Sequence, residues 1–242
     1  MCVLVLLLGL AACGTNSGGE ISAHQIQKDT VYLCEQFGSR VTGTQQEREA
    51  CDWLEKELET MGFSKENDTL RREGFQGLGE LTSENLTARY NPGESNSIYC
   101  VVAHYDSIAT TPGARDNASA VAILLEIARN LQTQNPDVES EIRLVFLGSE
   151  ENGYHGSRAY LENLTQEGLE RHKAVFNMDI SAATAGRDSW SAVPLAVSRT
   201  GFTGMAIFWS PWKTRSAVAL PKPMRHCMDG KFRWSMAVRA IM

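Results

Sequence analysis

The sequence of 242 residues lacks any apolar run of the roughly 18–20 residues that a membrane-spanning helix needs, which excludes a bundle of such helices. It has six cysteines but no Cys-x-x-Cys pair, so neither a thiolate zinc site nor a dithiol redox motif is indicated. It also lacks an excess of positive charge, and the formal net charge of −6 argues against nucleic acid as the main partner. The 43% of hydrophobic residues is ordinary for a globular protein and excludes a wholly disordered chain.

Glutamate is missing from the last quarter of the chain. Residues 181–242 carry nine Lys/Arg, two Asp and a net charge of +7, whereas residues 1–180 carry a net charge of −13. The stretch 180–225 has no clean periodicity, so we predict no turn-bounded strands there. We interpret 181–242 as an aberrant or incomplete C-terminal part of the preceding domain. A basic nucleic-acid-binding tail is the rival interpretation, although no recognised module is present.

The N-terminus has the pattern of a targeting segment. Residues 3–12 form an apolar stretch of the length of a signal-peptide core, and they end in Leu-Ala-Ala before Cys13. This resembles the lipobox of bacterial lipoproteins, in which the cysteine becomes lipidated. We therefore predict a signal peptide at 1–12, a flexible tether at 13–20, and a chain held at the bacterial cell envelope. The lipid on Cys13 would anchor it to the membrane, facing the periplasm or the exterior.

Residues 21–180 alternate between two kinds of hydrophobic pattern. Helical periodicity and capping signals predict helices over 21–37, 44–61, 118–131 and 154–164. Near-continuous apolar runs of strand length occur at 86–90, 97–104, 141–147 and 173–178. This alternation predicts an α/β fold with a mostly parallel mixed sheet flanked by helices on both faces, with the closing strands left open.

Polar side chains follow three of these predicted strands, at the edge where such sheets gather ligand-binding groups. One imidazole and five carboxylates fall there or in the loop before the third helix: His104, Asp106, Asp116, Glu150, Glu151 and Asp179. Carboxylates in such a cluster repel one another, and a divalent cation is the usual means of neutralising them. Because an imidazole is included, zinc suits the set better than calcium or magnesium.

The spacing of these residues suggests a division of roles. Residues two apart at a strand end can share a face, so Asp106 can bind the second ring nitrogen of His104 and fix its tautomer. The adjacent Glu150 and Glu151 cannot easily point the same way from an extended segment. One of them can bind a metal while the other acts as a base towards water, which is an arrangement suited to hydrolysis.

Four blocks then resemble metallopeptidase family 28, the group of two-zinc leucyl aminopeptidases and glutaminyl cyclases: AHYDS, PGARDNASA, FLGSEENGYHGSRAY and NMD, which begin at residues 103, 112, 146 and 177. The resemblance implies the fold of zinc exopeptidases and two Zn²⁺ ions. It implies that His104 and Asp179 hold one ion, Glu151 holds the other and Asp116 bridges both. It also implies that Glu150 is the general base, that Asp106 orients His104, and that the Asp116–Asn117 peptide is cis.

The implied activity is that of an aminopeptidase, which removes N-terminal residues from a peptide substrate by means of a water activated by two zinc ions. The family pattern has one more histidine ligand, and Gly230 falls in its register, with His226 nearby but out of register. We therefore expect weak occupancy of the second site and low or absent activity. Two alternatives remain: a one-zinc acyltransferase of the glutaminyl cyclase type, and an inactive, degenerate lipoprotein of the same fold.

Overall fold

The computed structural model describes residues 21–93 and 95–179, together with the backbone of 189–197 and 202–210. The predicted signal peptide, the tether and Cys13 lie outside the described residues. Within the described part, no helix has the length and apolar character needed to cross a membrane.

Five α-helices are described, and several begin where the sequence offers a cap. Ser22 caps the first helix and Thr44 caps the second, each by accepting a hydrogen bond from a backbone N–H one turn ahead. A single π turn, Leu33–Phe37, extends the first helix. The helices are α1 Ala23–Tyr32, α2 Gln45–Thr60, α3 Ser119–Gln134, α4 His155–Glu162 and α5 Gln166–Arg171.

Within the residues that the structure describes, seven strands form one mixed sheet in the order β1-β2-β4-β3-β5-β7-β6. They are β1 Leu70–Gln76, β2 Thr82–Tyr90, β3 Ile98–His104, β4 Glu141–Leu147, β5 His172–Met178, β6 Ser189–Val197 and β7 Phe202–Ser210. The three central ladders, β4 with β3, β3 with β5 and β5 with β7, are parallel. The three outer ladders are antiparallel. The predicted fold class is confirmed, with the parallel pairing confined to the middle.

Helices cover both faces of the sheet because the inner strands are apolar on both sides. Along β3, Val101 and Ala103 pack in the larger core with α2 and α3. The alternate residues Cys100 and Val102 pack in a second core beneath Tyr160 of α4. The same alternation runs through β4, so the central strands are held from both sides and their ends are fixed in position.

The structure corrects the sequence analysis at both edges. The prediction of no turn-bounded strands in 180–225 is wrong, since β6 and β7 lie there and extend the sheet beyond β5. Strand β1 and the short helix α5 were not predicted. Strand β1 (LRREGFQ) carries four charged or amide side chains in seven residues, because an edge strand exposes one side of its ladder and needs few apolar residues.

Candidate metal centre

Three neighbouring strands bring the predicted site residues to one edge of the sheet. His104 is the last residue of β3, Asp179 follows β5 directly, and Glu150 and Glu151 follow β4. Because β3 lies between β4 and β5 and runs parallel to both, the three carboxyl ends meet at the same edge.

Asp116 reaches this edge from the loop between β3 and α3. The peptide bond between Asp116 and Asn117 is cis, as the resemblance implies. The Asn117 side-chain amide donates a hydrogen bond to the carbonyl of Met178 at 2.8 Å, which ties the loop to the end of β5. The loop therefore presents Asp116 beside Asp179.

The side chains converge on one ring nitrogen. His104 Nε2 lies 3.2 Å from Asp116 Oδ1, 3.5 Å from Asp179 Oδ1 and 3.9 Å from Glu150 Oε2. The imidazole is only 3% exposed. Two sets of ligand atoms each lie within 4.8 Å of one another: those of His104, Asp116 and Asp179, and those of His104, Glu150 and Glu151.

Asp106, which is fully buried, contacts both the histidine and the two glutamates. His104 Nδ1 lies 3.2 Å from the backbone carbonyl of Asp106 and 3.4 Å from its Oδ1, which leaves Nε2 facing the carboxylates of the cluster. The carboxylate of Asp106 accepts hydrogen bonds from the backbone N–H of Glu150 at 3.0 Å and from that of Glu151 at 3.1 Å. One residue thus orients the imidazole and fixes the backbone of the segment after β4.

The turn that carries the glutamates is tightly packed. A Cβ atom at Gly148 would lie 2.7 Å from the carbonyl oxygen of Glu84 and 2.9 Å from the hydroxyl of Tyr105, so only glycine fits there. Ser149 follows with φ of 54°, in the left-handed region. This sharp turn brings the next two residues back over the end of β3.

The cluster changes the pKa values of its members. Burial raises the pKa of Glu150 to about 7; the nearby His104 opposes this rise, and the other carboxylates add to it. Burial also raises the pKa of Glu151, with the charge of Asp116 as the next cause. For His104, burial alone lowers the pKa, but Asp106, Asp116 and Asp179 outweigh it and hold that pKa well above its ordinary value.

The donor set fits a zinc ion. One imidazole and two carboxylates are common protein ligands of zinc in catalytic sites. Asp179 Oδ1 is buried without a hydrogen-bond partner among the described residues, which is costly unless a cation binds there. For a second ion, Glu151 and Asp116 are near enough to influence each other electrostatically. Gly230 and His226, which concern the further ligand, lie outside the described residues.

Three residues that sequence reasoning did not assign to the site support this cluster: Thr42 and Arg40 from the segment before α2, and Glu47 from its first turn. Thr42 Oγ1 lies 3.4 Å from Asp106 Oδ2, and the fully buried Arg40 donates to the carbonyl of Tyr105. Glu47 accepts a hydrogen bond from Ser83 Oγ at 2.5 Å, and burial raises the pKa of Glu47 to about 7. The sequence marked Glu47 only as part of a helix cap, and it offered no signal for the other two.

The fold is similar to that of known zinc aminopeptidases. A zinc aminopeptidase from Bacillus subtilis superposes with a TM-score of 0.60 at 16% identity, over 66% of this chain and 69% of that one. The glutaminyl cyclase of Porphyromonas gingivalis superposes with a TM-score of 0.57 at 26% identity, over 66% of this chain and 59% of that one.

Sequence comparison points to one peptidase family. Residues 85–202 match the model of peptidase family M28. It is 31% identical over 142 residues to Aminopeptidase YwaD of Bacillus subtilis, covering 52% of this chain and 31% of that relative. It is 37% identical over 101 residues to the Probable lipoprotein aminopeptidase LpqL of Mycobacterium tuberculosis, covering 42% of this chain and 20% of that relative. The chain thus matches between a fifth and a third of the length of these curated relatives.

Proposed function

We propose that this chain is a zinc-dependent aminopeptidase that removes N-terminal residues from peptides. The observation that carries the proposal is the convergence of His104, Asp116 and Asp179 around one position, with Asp179 Oδ1 buried and lacking a hydrogen-bond partner among the described residues. Clustered, partly buried carboxylates are costly in the protein alone, and a bound cation offsets that cost. The match of residues 85–202 to peptidase family M28 supports the hydrolysis of peptide bonds.

In this proposal His104, Asp116 and Asp179 hold one zinc ion, and Asp116 and Glu151 contribute to a second. Zinc, when bound, supplies a Lewis acid that makes water nucleophilic at neutral pH and polarises a scissile carbonyl. Asp106 keeps the proton of His104 on Nδ1, so Nε2 is free to act as a ligand. The backbones of the two glutamates are held by Asp106, and no hydrogen bond to either carboxylate is formed within the described residues, which leaves both available.

Glu150 is assigned the role of general base. Its Oε2 lies 3.9 Å from His104 Nε2, so it faces the ligand atoms, and its side chain is 23% exposed and within reach of water. Glu150 accepts a proton from the attacking water and returns it to the amine that leaves. The atoms balance, because one water is consumed and one amide becomes a carboxylate and an amine.

The N-terminal segment suggests the place of action. The lipobox at Cys13 supports a lipid-anchored protein at the bacterial cell envelope, with residues 1–12 removed as a signal peptide and 13–20 as a tether. The similarity to a relative named a probable lipoprotein aminopeptidase agrees with this. We further propose that 181–242 is an aberrant or incomplete C-terminal part of the domain that begins at residue 21.

The test compares the full chain with its Glu150→Gln variant. We expect bound zinc in both. We expect slow hydrolysis of an aminoacyl-nitroanilide by the unmodified chain, because Gly230 falls in the register of the further histidine ligand, and a chelator should abolish it. The substitution should lower kcat by about 10²–10⁴-fold while the zinc content stays unchanged. The exposed Glu139→Gln is the control and should leave both quantities as they were. Undiminished turnover by Glu150→Gln would refute the assigned role.

A glutaminyl cyclase activity is the second candidate, favoured by the 26% identity to a cyclase structure and by a three-ligand set that suits a single ion. A peptide that begins with glutamine separates the two activities. A cyclase releases ammonia and leaves the peptide bond intact, whereas an aminopeptidase releases free glutamine. Zinc binding with neither product would identify an inactive protein of this fold.

A further inference from the structure

Arg40 is a fully buried arginine in the connection between the π turn and α2. Its guanidinium donates to three backbone carbonyls: Nε to Tyr105 at 2.6 Å, and Nη1 to Pro112 at 2.7 Å and to Gly38 at 3.0 Å. The sequence analysis gave this residue no role, and the proposed chemistry does not use it.

The partners of Arg40 are unusual for a buried guanidinium. Buried arginines are normally paired with carboxylates, because an isolated buried charge is costly. Within the described residues no carboxylate lies within ion-pair distance of Arg40, and its Nη2 is buried without a hydrogen-bond partner. Burial lowers the pKa of Arg40, and Cys34 and then Asp106 oppose this lowering. A planar fork directed at carbonyls is a device for fixing backbone geometry.

Two of these carbonyls belong to the segments that carry ligands. Tyr105 lies between His104 and Asp106 at the end of β3, and Pro112 lies four residues before Asp116 in the following loop. Arg40 therefore ties the start of the Asp116 loop to the strand end that carries His104. The third bond, to Gly38, anchors the same guanidinium to its own segment.

The backbone of Arg40 strengthens the tie. Its N–H donates to Ser107 Oγ at 3.0 Å, and its carbonyl accepts from the N–H of Ser107 at 3.1 Å. Ser107 is the residue after Asp106, so Arg40 contacts both neighbours of that carboxylate. No other described side chain outside the ligand-bearing segments is shown to donate to both of these segments.

We propose that Arg40 is a positioning residue that sets the separation of His104 and Asp116, and thereby the zinc affinity of the centre. The inference rests on the proposed zinc site. It predicts that loss of the Arg40 guanidinium loosens the Asp116 loop. The main effect should then be a lower zinc affinity, with a smaller effect on the midpoint of unfolding. Substitutions in the outer shell of metal sites typically cost 10–100-fold in affinity.

The experiment compares Arg40→Lys with Arg72→Lys in the full chain. Arg72 is the matched control because it is partly buried and its guanidinium pairs with the carboxylates of Asp52, Glu55 and Glu84, none of which is a proposed ligand. Zinc affinity is measured by competition with a chromophoric chelator, the Co²⁺ absorption spectrum reports the coordination geometry, and the midpoint of unfolding reports stability.

We expect Arg40→Lys to weaken zinc affinity by about tenfold and to alter the Co²⁺ spectrum. Arg72→Lys should lower the unfolding midpoint and leave both metal readouts unchanged. Equal zinc affinity and an unchanged spectrum in Arg40→Lys would overturn the inference while leaving the proposed function standing. An unmodified chain that binds no zinc would overturn both.

Ser107→Ala provides a second variant if Arg40→Lys fails to fold. It removes the hydroxyl that accepts from the Arg40 N–H and keeps the guanidinium in place. We expect a smaller loss of zinc affinity, of a few-fold, with the same direction of change in the Co²⁺ spectrum. A folded Ser107→Ala variant with the zinc affinity and spectrum of the unmodified chain would also overturn the inference.

Discussion

The two ends of β4 bury carboxylates in opposite ways. At its start, Glu141 is fully buried and lies 2.7 Å from Arg89 Nε, 2.7 Å from Arg143 Nε and 3.2 Å from Arg171 Nη2. Beyond its other end, Glu150 and Glu151 share their surroundings with further carboxylates and a single imidazole.

The pKa values reflect this difference. Burial alone would raise the pKa of Glu141, but Arg89 and Arg143 lower it below its ordinary value. Burial raises the pKa of Glu150 to about 7. The neighbouring carboxylates add to this rise, and His104 opposes it. A buried carboxylate with its own cations stabilises a structure, whereas a cluster without them marks a place for a cation from outside.

Breaking the ion pairs of Glu141 at the start of β4, which we call the paired end, should have the largest effect on the free energy of unfolding. Glu141→Gln leaves three arginines around a neutral amide, so we expect it to lower the free energy of unfolding by about 3–5 kcal/mol. Chemical denaturation measures this, with the exposed Glu139→Gln as the control. The zinc-dependent rise in stability should persist in both variants. A loss below about 1 kcal/mol would mean that the cluster around Glu141 contributes little.

His172, which lies near the charged residues of the paired end, should make the free energy of unfolding depend on pH. Its Nδ1 lies 2.5 Å from the carbonyl of Gly168, which can only accept, so Nε2 accepts from the hydroxyl of Tyr160 at 3.0 Å. This neutral ring is fully satisfied. Burial lowers the pKa of His172 to about 4, the Gly168 bond opposes, and of the charged neighbours Arg143 and Arg171 lower it while Glu141 raises it.

The unfolded chain therefore binds more protons than the folded one between about pH 4 and the ordinary histidine pKa of about 6.5. Stability rises with pH across this window, and up to about 3 kcal/mol is lost as the pH falls through it. Denaturation of His172→Gln at several pH values should show a flatter dependence, whereas the exposed His24→Gln should match the unmodified chain. An unchanged slope in His172→Gln would contradict the assignment.

Removing one carboxylate from the cluster beyond the other end of β4 should change the free energy of unfolding by a smaller amount and in the opposite direction. Asp179→Asn removes one of the clustered charges, so with a chelator present we expect the free energy of unfolding to rise by about 1 kcal/mol. Added zinc should then stabilise the variant less than it stabilises the unmodified chain. Asp137→Asn, an exposed site with the same change of charge, is the control. Destabilisation by Asp179→Asn under chelation would show that its carboxylate is satisfied within the protein.

Strand ends explain why much of the site was predictable. His104, Glu150 and Asp179 stand after apolar runs that have few other interpretations, and β4 has the predicted bounds of 141–147. The supporting residues were not predictable, because Arg40 acts through carbonyls that are 65 and 72 residues away in sequence. Strands β6 and β7 were missed because their segment has an atypical composition and no alternation of polar and apolar residues.

Because the Asp106 carboxylate binds two successive backbone N–H groups, the number of residues in the preceding turn matters to the site. Its Oδ1 and Oδ2 fix a first and a second backbone position after the turn, and the residue at each position takes the role proposed for it: general base at the first and metal ligand at the second. Deleting one residue from Gly148–Ser149 would move Glu151 into the first position and Asn152 into the second, with every acidic residue still present. The site therefore depends on the length of the turn as well as on the identity of the residues that follow it.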